Sequence, residues 1–268
     1  MKRALYSIDD EEFLTFLERI DHSFRTNNIP YLFVGGVATQ AHIVSLICKK
    51  EGVNLYDLIN DPNFRVQDHL RATDDIDITL DIRNIEGQKT EIYERINTIL
   101  SSLEEESPYV SVSGNHLVSV KLERKGIRRP VFRLGLDEEP SYENEVSLNL
   151  YYSPEDTNHR WSQEMIEFER QNYFRFFESG LRISLPIYKG KKIELNVKSL
   201  EDLIATKIAR SREKDWTDIL LLYRHTKDSG NPINFSQLER DLYVEDERLK
   251  IFNEELINRL KKFKVLVS

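Results

Sequence analysis

Two short stretches decide the fold: residues 33–38, FVGGVA, and residues 71–78, RATDDIDI. In the first, an apolar run ends in Gly35-Gly36 and passes directly into a segment with a helical period, which predicts a strand, a tight turn and a helix. In the second, isoleucine alternates with aspartate, which predicts a strand. Together they indicate a mixed α/β module that contains a strand-to-helix turn and an acidic strand.

Apolar spacing on both sides of these stretches predicts the other elements of the first half. Ser7 is suited to cap a helix that ends before Asn27. The remaining predictions are helices over residues 37–48 and 91–103, strands over residues 31–34, 75–79, 109–113, 117–124, 130–135 and 145–152, and a hairpin turn at Gly114-Asn115. The first half is therefore expected to be a mixed sheet with flanking helices.

The second half has a more helical pattern. Residues 161–177 are aromatic and charged, and they fit either a helix or a strand. The rest predicts a hairpin over residues 183–195 that turns at residues 189–191, and helices over residues 199–211, 215–225 and 246–265. We therefore predict an α/β (α+β) fold in two domains, with a core over residues 1–155 and a mainly helical domain over residues 156–268.

Composition limits the class of protein. The chain of 268 residues has one cysteine, Cys48, so no internal disulfide can form, which fits a reducing compartment. No apolar run approaches the ~18 residues of a membrane span. The N-terminus turns acidic at Asp9 before an apolar region forms, which argues against a signal peptide. These features predict a cytoplasmic protein that has no membrane partner.

The net charge of −8 argues against a protein that coats nucleic acid nonspecifically, because neutralising phosphates requires a basic surface. The charge is unevenly distributed, however. Residues 1–150 carry 17 basic and 26 acidic side chains, whereas residues 151–268 carry 21 and 20. A local basic groove in the second half therefore stays compatible with the composition.

Gly35-Gly36 has two interpretations. A strand that ends in two glycines and passes into a helix presents backbone N–H groups at the positive end of that helix, which is a geometry that holds phosphate. The alternative is a tight turn that needs a positive φ and binds nothing. The glycines alone favour the plain turn.

Asp75 and Asp77 also have two interpretations. Residues two apart on a strand project to the same face, so the two carboxylates repel each other unless a cation lies between them. Such oxygen ligands suit Mg²⁺, which completes its shell with water and substrate phosphates. The alternative is a solvated acidic strand edge. The upstream Gly35-Gly36 turn shifts the balance toward the metal site.

Gly35-Gly36 followed by residues 71–77, RATDDID, resembles the signature of the polymerase-β-like nucleotidyltransferase superfamily. The resemblance implies a small mixed sheet flanked by helices and a nucleoside triphosphate (NTP) bound at the glycines. It also implies Mg²⁺, with Mn²⁺ as the alternative ion, held by Asp75 and Asp77. The long spacer between the glycines and the acidic strand implies an insertion at about residues 49–70.

Residues 199–207, SLEDLIATK, and residues 212–218, REKDWTD, are similar to the AbiEii/MenT-like toxin-type branch of that superfamily. By this match Lys207 would contact the nucleotide phosphates, Asp215 would lie at the active site, and the second domain would complete that site. A fixed ammonium suits the charge that spreads over a transferred nucleotidyl group. The alternative is that these residues are solvated helix positions.

The general base is left open by the sequence. The fold often supplies a third acidic residue from a later strand, and the matching position here holds Asn149, whose amide cannot accept the proton. Either the base is Asp215, or less favourably Glu145 or Glu194, or Asn149 only positions a ligand.

These features predict a metal-dependent nucleotidyltransferase that moves a nucleoside monophosphate from NTP to an acceptor hydroxyl. By resemblance the acceptor is an RNA 3′ end such as that of tRNA, in a toxin–antitoxin or phage-defence setting with an antitoxin partner. The acidic first half instead favours a cationic small molecule such as an aminoglycoside, and a protein hydroxyl is a further alternative. Asn149 leaves open a degenerate protein that binds a nucleotide or a partner without catalysis.

Overall fold

The computed structural model describes residues 7–9, 11–73, 75–81, 94–96, 98–99, 108–112, 117–123, 129–131, 141–143, 145–151, 162–188 and 190–268. In chain order the elements are α1 (Glu11–Thr26), β1 (Tyr31–Val34), α2 (Gly35–Glu51), α3 (Leu55–Asn60), β2 (Asp75–Leu80), β3 (Pro108–Val112), β4 (Leu117–Glu123), β5 (Arg129–Val131), β6 (Ser141–Glu143), β7 (Glu145–Tyr151), α4 (Gln163–Glu178), β8 (Leu181–Tyr188), β9 (Lys191–Val197), α5 (Leu200–Arg210), α6 (Glu213–Asp228), α7 (Phe235–Leu242) and α8 (Lys250–Val267). Short 3-10 turns lie at Val66–Asp68 and Glu247–Leu249.

The main sheet is mixed and has the strand order β3-β4-β7-β2-β1-β9-β8. β2 runs parallel to β7 and β1 runs parallel to β9, whereas the other neighbours are antiparallel. β5 and β6 form a separate two-stranded sheet. The predicted α/β class, a mixed sheet with helices followed by a mainly helical part, is confirmed.

Both parts of the chain contribute to the sheet and to the core. β8 and β9 come from the second part and extend the sheet beside β1, where Phe33 is the register partner of Val197. A buried apolar cluster likewise joins Phe13 and Ile78 to Leu203 and Phe263. Burying such side chains is the main source of folding free energy, so the two parts support each other. The division at residue 155 and the insertion at residues 49–70 stay predictions.

The helix after β1 begins earlier than the sequence predicts. Gly35 and Gly36 are its first two residues, whereas the prediction placed them in a turn before residue 37. Val34, in extended conformation, occupies the N-cap position, and Gly35 has a φ of 60°. The strand therefore passes into the helix with no intervening loop, which brings the helix N-terminus directly to the end of β1.

Three elements of the second half differ from the predictions or extend them. Residues 163–178 are helical: Ser162 caps α4 by accepting the Met165 N–H, and Phe168 and Phe176 are buried at helical spacing. α7 was not predicted, because eight residues give a weak periodic signal. The last helix begins at Lys250 rather than 246, since a 3-10 turn precedes it.

Some predictions fall outside the described residues. These include the turn at Gly114-Asn115, residues 132–135 of the predicted strand over residues 130–135, and the outer parts of the helix over residues 91–103. Of that helix, residues 94–96 and 98–99 are described and helical. Of the helices that the structure describes, none combines the length and apolar character that crossing a bilayer requires.

Candidate active site

The first turn of α2 presents backbone donors to one end of the sheet. The Val34 side chain makes no capping hydrogen bond, and the first turn carries no acidic residue. The first N–H groups of a helix have no partner within the helix, and the helix dipole adds partial positive charge at the same place. This helix end is therefore suited to bind an anion such as a phosphate.

The two glycines let the acidic strand approach this helix end closely. Val34 is the antiparallel register partner of Asp77. A Cβ atom on Gly35 would lie 2.6 Å from Asp77 Oδ2, and a Cβ on Gly36 would lie 2.5 Å from Thr73 Oγ1. Thr73 Oγ1 in turn lies 3.1 Å from the backbone oxygen of Asp75 and 3.2 Å from its Oδ1, to which it can donate. A Cβ atom at either position would therefore force Asp77 or Thr73 to move away from the helix end.

Gly35→Ala should therefore reduce activity more than stability. An alanine at a φ of 60° costs about 1–2 kcal/mol of folding free energy, and its methyl group also has to displace the Asp77 carboxylate. Because a displacement of about 1 Å in a reacting group can cost about a hundredfold in rate, we expect kcat to fall about tenfold to a hundredfold. Steady-state kinetics and thermal unfolding of the purified variant measure the two effects.

Gly52→Ala is the matched control for this variant. Gly52 has a φ of 68°, but a Cβ there would meet no heavy atom within 4 Å. The backbone strain is thus the same, and the contact with Asp77 is missing. Equal losses of activity in the two variants would show that the approach of the α2 N-terminus to Asp77 is unimportant.

Arg212 is a cationic residue on which the charges of the acidic pair act. It lies at the N-cap of α6, where its Nε and Nη2 donate to the two carboxylate oxygens of Asp215 at 2.7 and 3.0 Å. The hydrogen bond to Asp215 raises the pKa of Arg212, and the charges of Asp215, Asp77 and Asp75 raise it further. Arg212 is half-exposed, whereas Asp215 is buried. Asp215 therefore acts on the acidic pair only indirectly, by holding the Arg212 side chain in place.

A buried ion-pair network joins the segment before β2 to the second part of the chain. Asp218 on α6 accepts from Arg71 Nε at 2.8 Å and from Arg71 Nη2 at 3.0 Å, and it also accepts from Lys207 Nζ at 2.6 Å. Burial lowers the pKa of Lys207 despite Asp218. Burial alone would raise the pKa of Asp218, but the hydrogen bonds and charges of Arg71 and Lys207 bring it below its usual value. Lys207 thus lies against Asp218, and its contact with nucleotide phosphates stays a prediction.

A pair of histidines joins α6, which carries His225 and Asp218, to His69 in the segment before β2. His69 Nδ1 and His225 Nε2 are 3.3 Å apart, and the His69 ring stacks on Phe64. Burial lowers the pKa of both rings, to about 4 for His225, and nearby positive charge acts in the same direction. Each ring is therefore neutral in the folded protein at pH 7.

This pair predicts a stability that decreases in mild acid. The His225 pKa is about 4 in the folded chain, below the value of about 6.5 expected when unfolded, so the unfolded chain binds the proton first. The free energy of unfolding should fall by about 2 kcal/mol between pH 7 and pH 5 through His225. Urea unfolding at both pH values, compared with His225→Gln, measures this contribution. An equal pH dependence in the two proteins would contradict it.

The strand next to β2 carries no carboxylate opposite the acidic pair. In the parallel register of β2 and β7, Asn149 is the partner of Asp77 and Ser147 is the partner of Asp75. Of the alternative bases, Glu194 lies on β9 and accepts from Arg182, while Asp215 is bound by Arg212. The identity of the general base stays a prediction.

The acidic pair fits a divalent cation that is shared with a substrate. Asp75 and Asp77 are partly buried and lie on one face of β2 beside the α2 N-terminus. In the part of the chain that the structure describes, no group of three or more His, Cys, Asp and Glu side chains is arranged to hold an ion. Two carboxylates with phosphate oxygens and water are a donor set typical of Mg²⁺ rather than of a closed protein site.

Four of the predicted site residues lie together in the structure. Other residues, to which the sequence assigned no role, make contacts with the site or with the networks beside it. Gly35, Gly36, Asp75 and Asp77 surround the end of β1. Lys207 and Asp215 belong to the polar networks on the second part of the chain. The residues whose roles were missed all lie inside the quoted motif stretches, which was the available signal: Arg71, Thr73, Arg212 and Asp218.

The α2 N-terminus, the acidic pair and the paired cationic side chains form a site that is compatible with nucleotidyl transfer. Residues 63–265 match the family model described as nucleotidyl transferase AbiEii toxin, type IV TA system. The match covers most of the chain, so the protein belongs to this family of NTP-dependent nucleotidyltransferases and toxin–antitoxin toxins. The matched region contains Asp75, Asp77, Lys207 and Asp215 and begins after Gly35-Gly36.

Solved structures show only weak overall similarity to this chain. The antibiotic-resistance factor ANT(2'')-Ia is 14% identical with a TM-score of 0.41, covering 95% of this chain and 96% of its own. JHP933 from Helicobacter pylori is 12% identical with a TM-score of 0.38, covering 96% of this chain and 92% of its own. No curated protein sequence matches the chain significantly. These similarities add nothing to the family assignment.

Proposed function

We propose that the protein transfers a nucleoside monophosphate from NTP to the 3′ hydroxyl of an RNA, such as a tRNA, as the toxin of its toxin–antitoxin pair. The acceptor oxygen forms a bond to the α-phosphorus, the bond from that phosphorus to the pyrophosphate oxygen breaks, and the hydroxyl proton is released. The observation that supports the proposal is the close approach of Asp77 to Gly35, where the N-terminus of α2, which is suited to bind phosphate, lies beside the acidic pair.

Different residues of the chain have different functions in the proposed reaction. The N–H groups at the start of α2 bind the triphosphate, and Asp75 and Asp77 hold Mg²⁺, with Mn²⁺ as the alternative ion. The ion, when bound, neutralises charge on the phosphates and on the leaving pyrophosphate. Arg212, fixed by Asp215, adds a guanidinium beside the same charge. Asp215 is thus proposed as a positioning residue for Arg212.

Lys207 is proposed to act on the nucleotide while it stays bound to Asp218. Its Nζ has three donors, of which Asp218 takes one at 2.6 Å. Burial and the fixed partner restrict the ammonium to one position. A positive charge held in this way can stabilise phosphate oxygens without a change in the position of the ammonium group during the reaction.

The charge balance of the second part of the chain favours an RNA acceptor, whereas that of the first part favours a cationic small molecule. The second part, which supplies Lys207 and Arg212, carries 21 basic and 20 acidic side chains, whereas residues 1–150 are strongly acidic. That acidic balance is the observation that favours the second candidate, an aminoglycoside-like acceptor.

NTP and RNA are both cytoplasmic, and we propose that location for the protein.

A parallel acceptor screen tests the proposal. Each α-labelled NTP is incubated with the protein and Mg²⁺ together with total RNA, total protein or an aminoglycoside panel. We expect label in RNA, absent when EDTA is added. Label only in the small-molecule or protein arm would replace the RNA proposal. NTP binding by calorimetry without turnover in any arm would support the degenerate alternative.

A further inference from the structure

A cavity of about 540 Å³ lies on the second part of the chain, and Arg212, the partner of Asp215, is part of its lining. Its walls come from α4, α5 and α8, from Arg212 ahead of α6 and from the turn that precedes α8. None of its lining residues belongs to β1, β2 or α2. It is therefore separate from the helix end that is suited to bind the triphosphate.

The polar part of this lining is mainly arginine, and Arg212, Arg248 and Arg259 pair with groups of the chain. Arg248 donates from Nε and Nη2 to Asp246, in the same way that Arg212 donates to Asp215. Arg259 Nη1 donates to the carbonyl oxygen of Ala209 at 2.5 Å. A guanidinium has five N–H donors, so Arg212 and Arg248 each keep the Nη1 group for a ligand after pairing with one carboxylate.

Apart from Ser162, the rest of the lining is apolar or acidic. Met165, Leu249, Ile251 and Phe252 contribute hydrocarbon surface, and Glu255 contributes a carboxylate. A nucleotide has a flat base that can pack on apolar side chains and a phosphate that arginine can bind. Its hydroxyl and amino groups can donate hydrogen bonds to a carboxylate. The mixture of arginine and hydrocarbon therefore fits a nucleotide unit better than an acidic peptide, which offers no base.

We propose that this cavity binds the terminal nucleotide of the acceptor strand, an inference that rests on the proposed RNA acceptor. The attacking and leaving oxygens of phosphoryl transfer lie roughly in line, so the acceptor and the pyrophosphate need separate subsites. The α2 N-terminus accounts for the pyrophosphate end. The cavity, which Arg212 lines, accounts for the acceptor end.

Arg248→Gln tests this assignment without disturbing the acidic pair. The Arg248 side chain is 87% exposed, so the substitution should leave the fold intact. Loss of a charge-assisted contact to a phosphate should raise KM for RNA about tenfold, with kcat and KM for NTP within about twofold of the unchanged protein. RNA binding is measured by fluorescence anisotropy with a labelled single-stranded oligoribonucleotide at several salt concentrations. The slope of the logarithm of the affinity against the logarithm of the salt concentration should become smaller by about one.

Two further variants complete the test. Ile251→Glu places a carboxylate on the cavity lining at a residue that is 75% exposed, and it should also raise KM for RNA. Arg240→Gln removes an exposed arginine of α7 that does not line the cavity, and it should change neither KM.

The outcomes distinguish this inference from the function on which it rests. An unchanged KM for RNA in Arg248→Gln and Ile251→Glu, while RNA is still labelled, would overturn the subsite alone. A rise in KM for NTP instead would assign the cavity to the NTP and overturn it as well. Failure of the unchanged protein to label any RNA would overturn the RNA acceptor and the subsite together.

Discussion

Asp75→Asn and Asp77→Asn should each lower the rate of nucleotidyl transfer by about a thousandfold. An amide has the shape of the carboxylate but lacks its charge, so the variant cannot hold a divalent cation against the substrate phosphates. Both residues are partly buried on one face of β2 beside the α2 N-terminus, where Asp77 Oδ2 lies against Gly35. Single-turnover transfer from α-labelled NTP measures the loss.

Asp61→Asn is the matched control for the acidic pair. Asp61 is exposed after α3, and its Oδ1 accepts from the backbone of Asn63, a contact that asparagine preserves. The control should retain full activity, and circular dichroism should show all three variants folded. Activity within threefold of the unchanged protein in either Asp75→Asn or Asp77→Asn would contradict the assignment of the metal site.

Asp218→Ala should destabilise the fold by about 3–5 kcal/mol. Asp218 is 1% exposed, and its removal leaves Arg71 and the buried Lys207 without their shared partner. Removing one member of a buried ion pair is costly because the remaining charge stays desolvated. Urea unfolding measures the change in the free energy of unfolding.

Asp228→Ala is the control for this variant, because it makes the same substitution on the same helix at a residue outside the Asp218 network. Asp228 is the last residue of α6 and is exposed, so its loss should cost less than about 1 kcal/mol. If Asp218→Ala were no more destabilising than Asp228→Ala, the network around Asp218 would not be what joins the segment before β2 to α6.

The centre of the fold could be predicted from the sequence because its signals are local. The apolar run of β1, the two glycines and the alternation in β2 each lie within a few consecutive residues. The motif stretches likewise identified the acidic pair. What they could not give was the reason for the glycines, which is the approach of Asp77 and Thr73 to the first turn of α2.

The remaining features depend on contacts between distant residues. Arg71 and Asp218 are 147 positions apart, and no spacing rule links them. The pairing of β1 with β9 is also non-local, since Phe33 has Val197 as its partner. The proposed role of Arg212 is of the same kind, because Asp75 and Asp77, whose charges act on it, lie on another element of the chain.

Transfer of label from the α-phosphate to RNA tests the central claim most directly. Total RNA is incubated with the protein, Mg²⁺ and each NTP labelled either at the α- or at the γ-phosphate. Nucleotidyl transfer retains the α-phosphate and releases the γ-phosphate with pyrophosphate, so RNA should become labelled from the α position only, and not by Asp77→Asn. Label that enters RNA from the γ position, or no label in RNA with any NTP, would contradict the account.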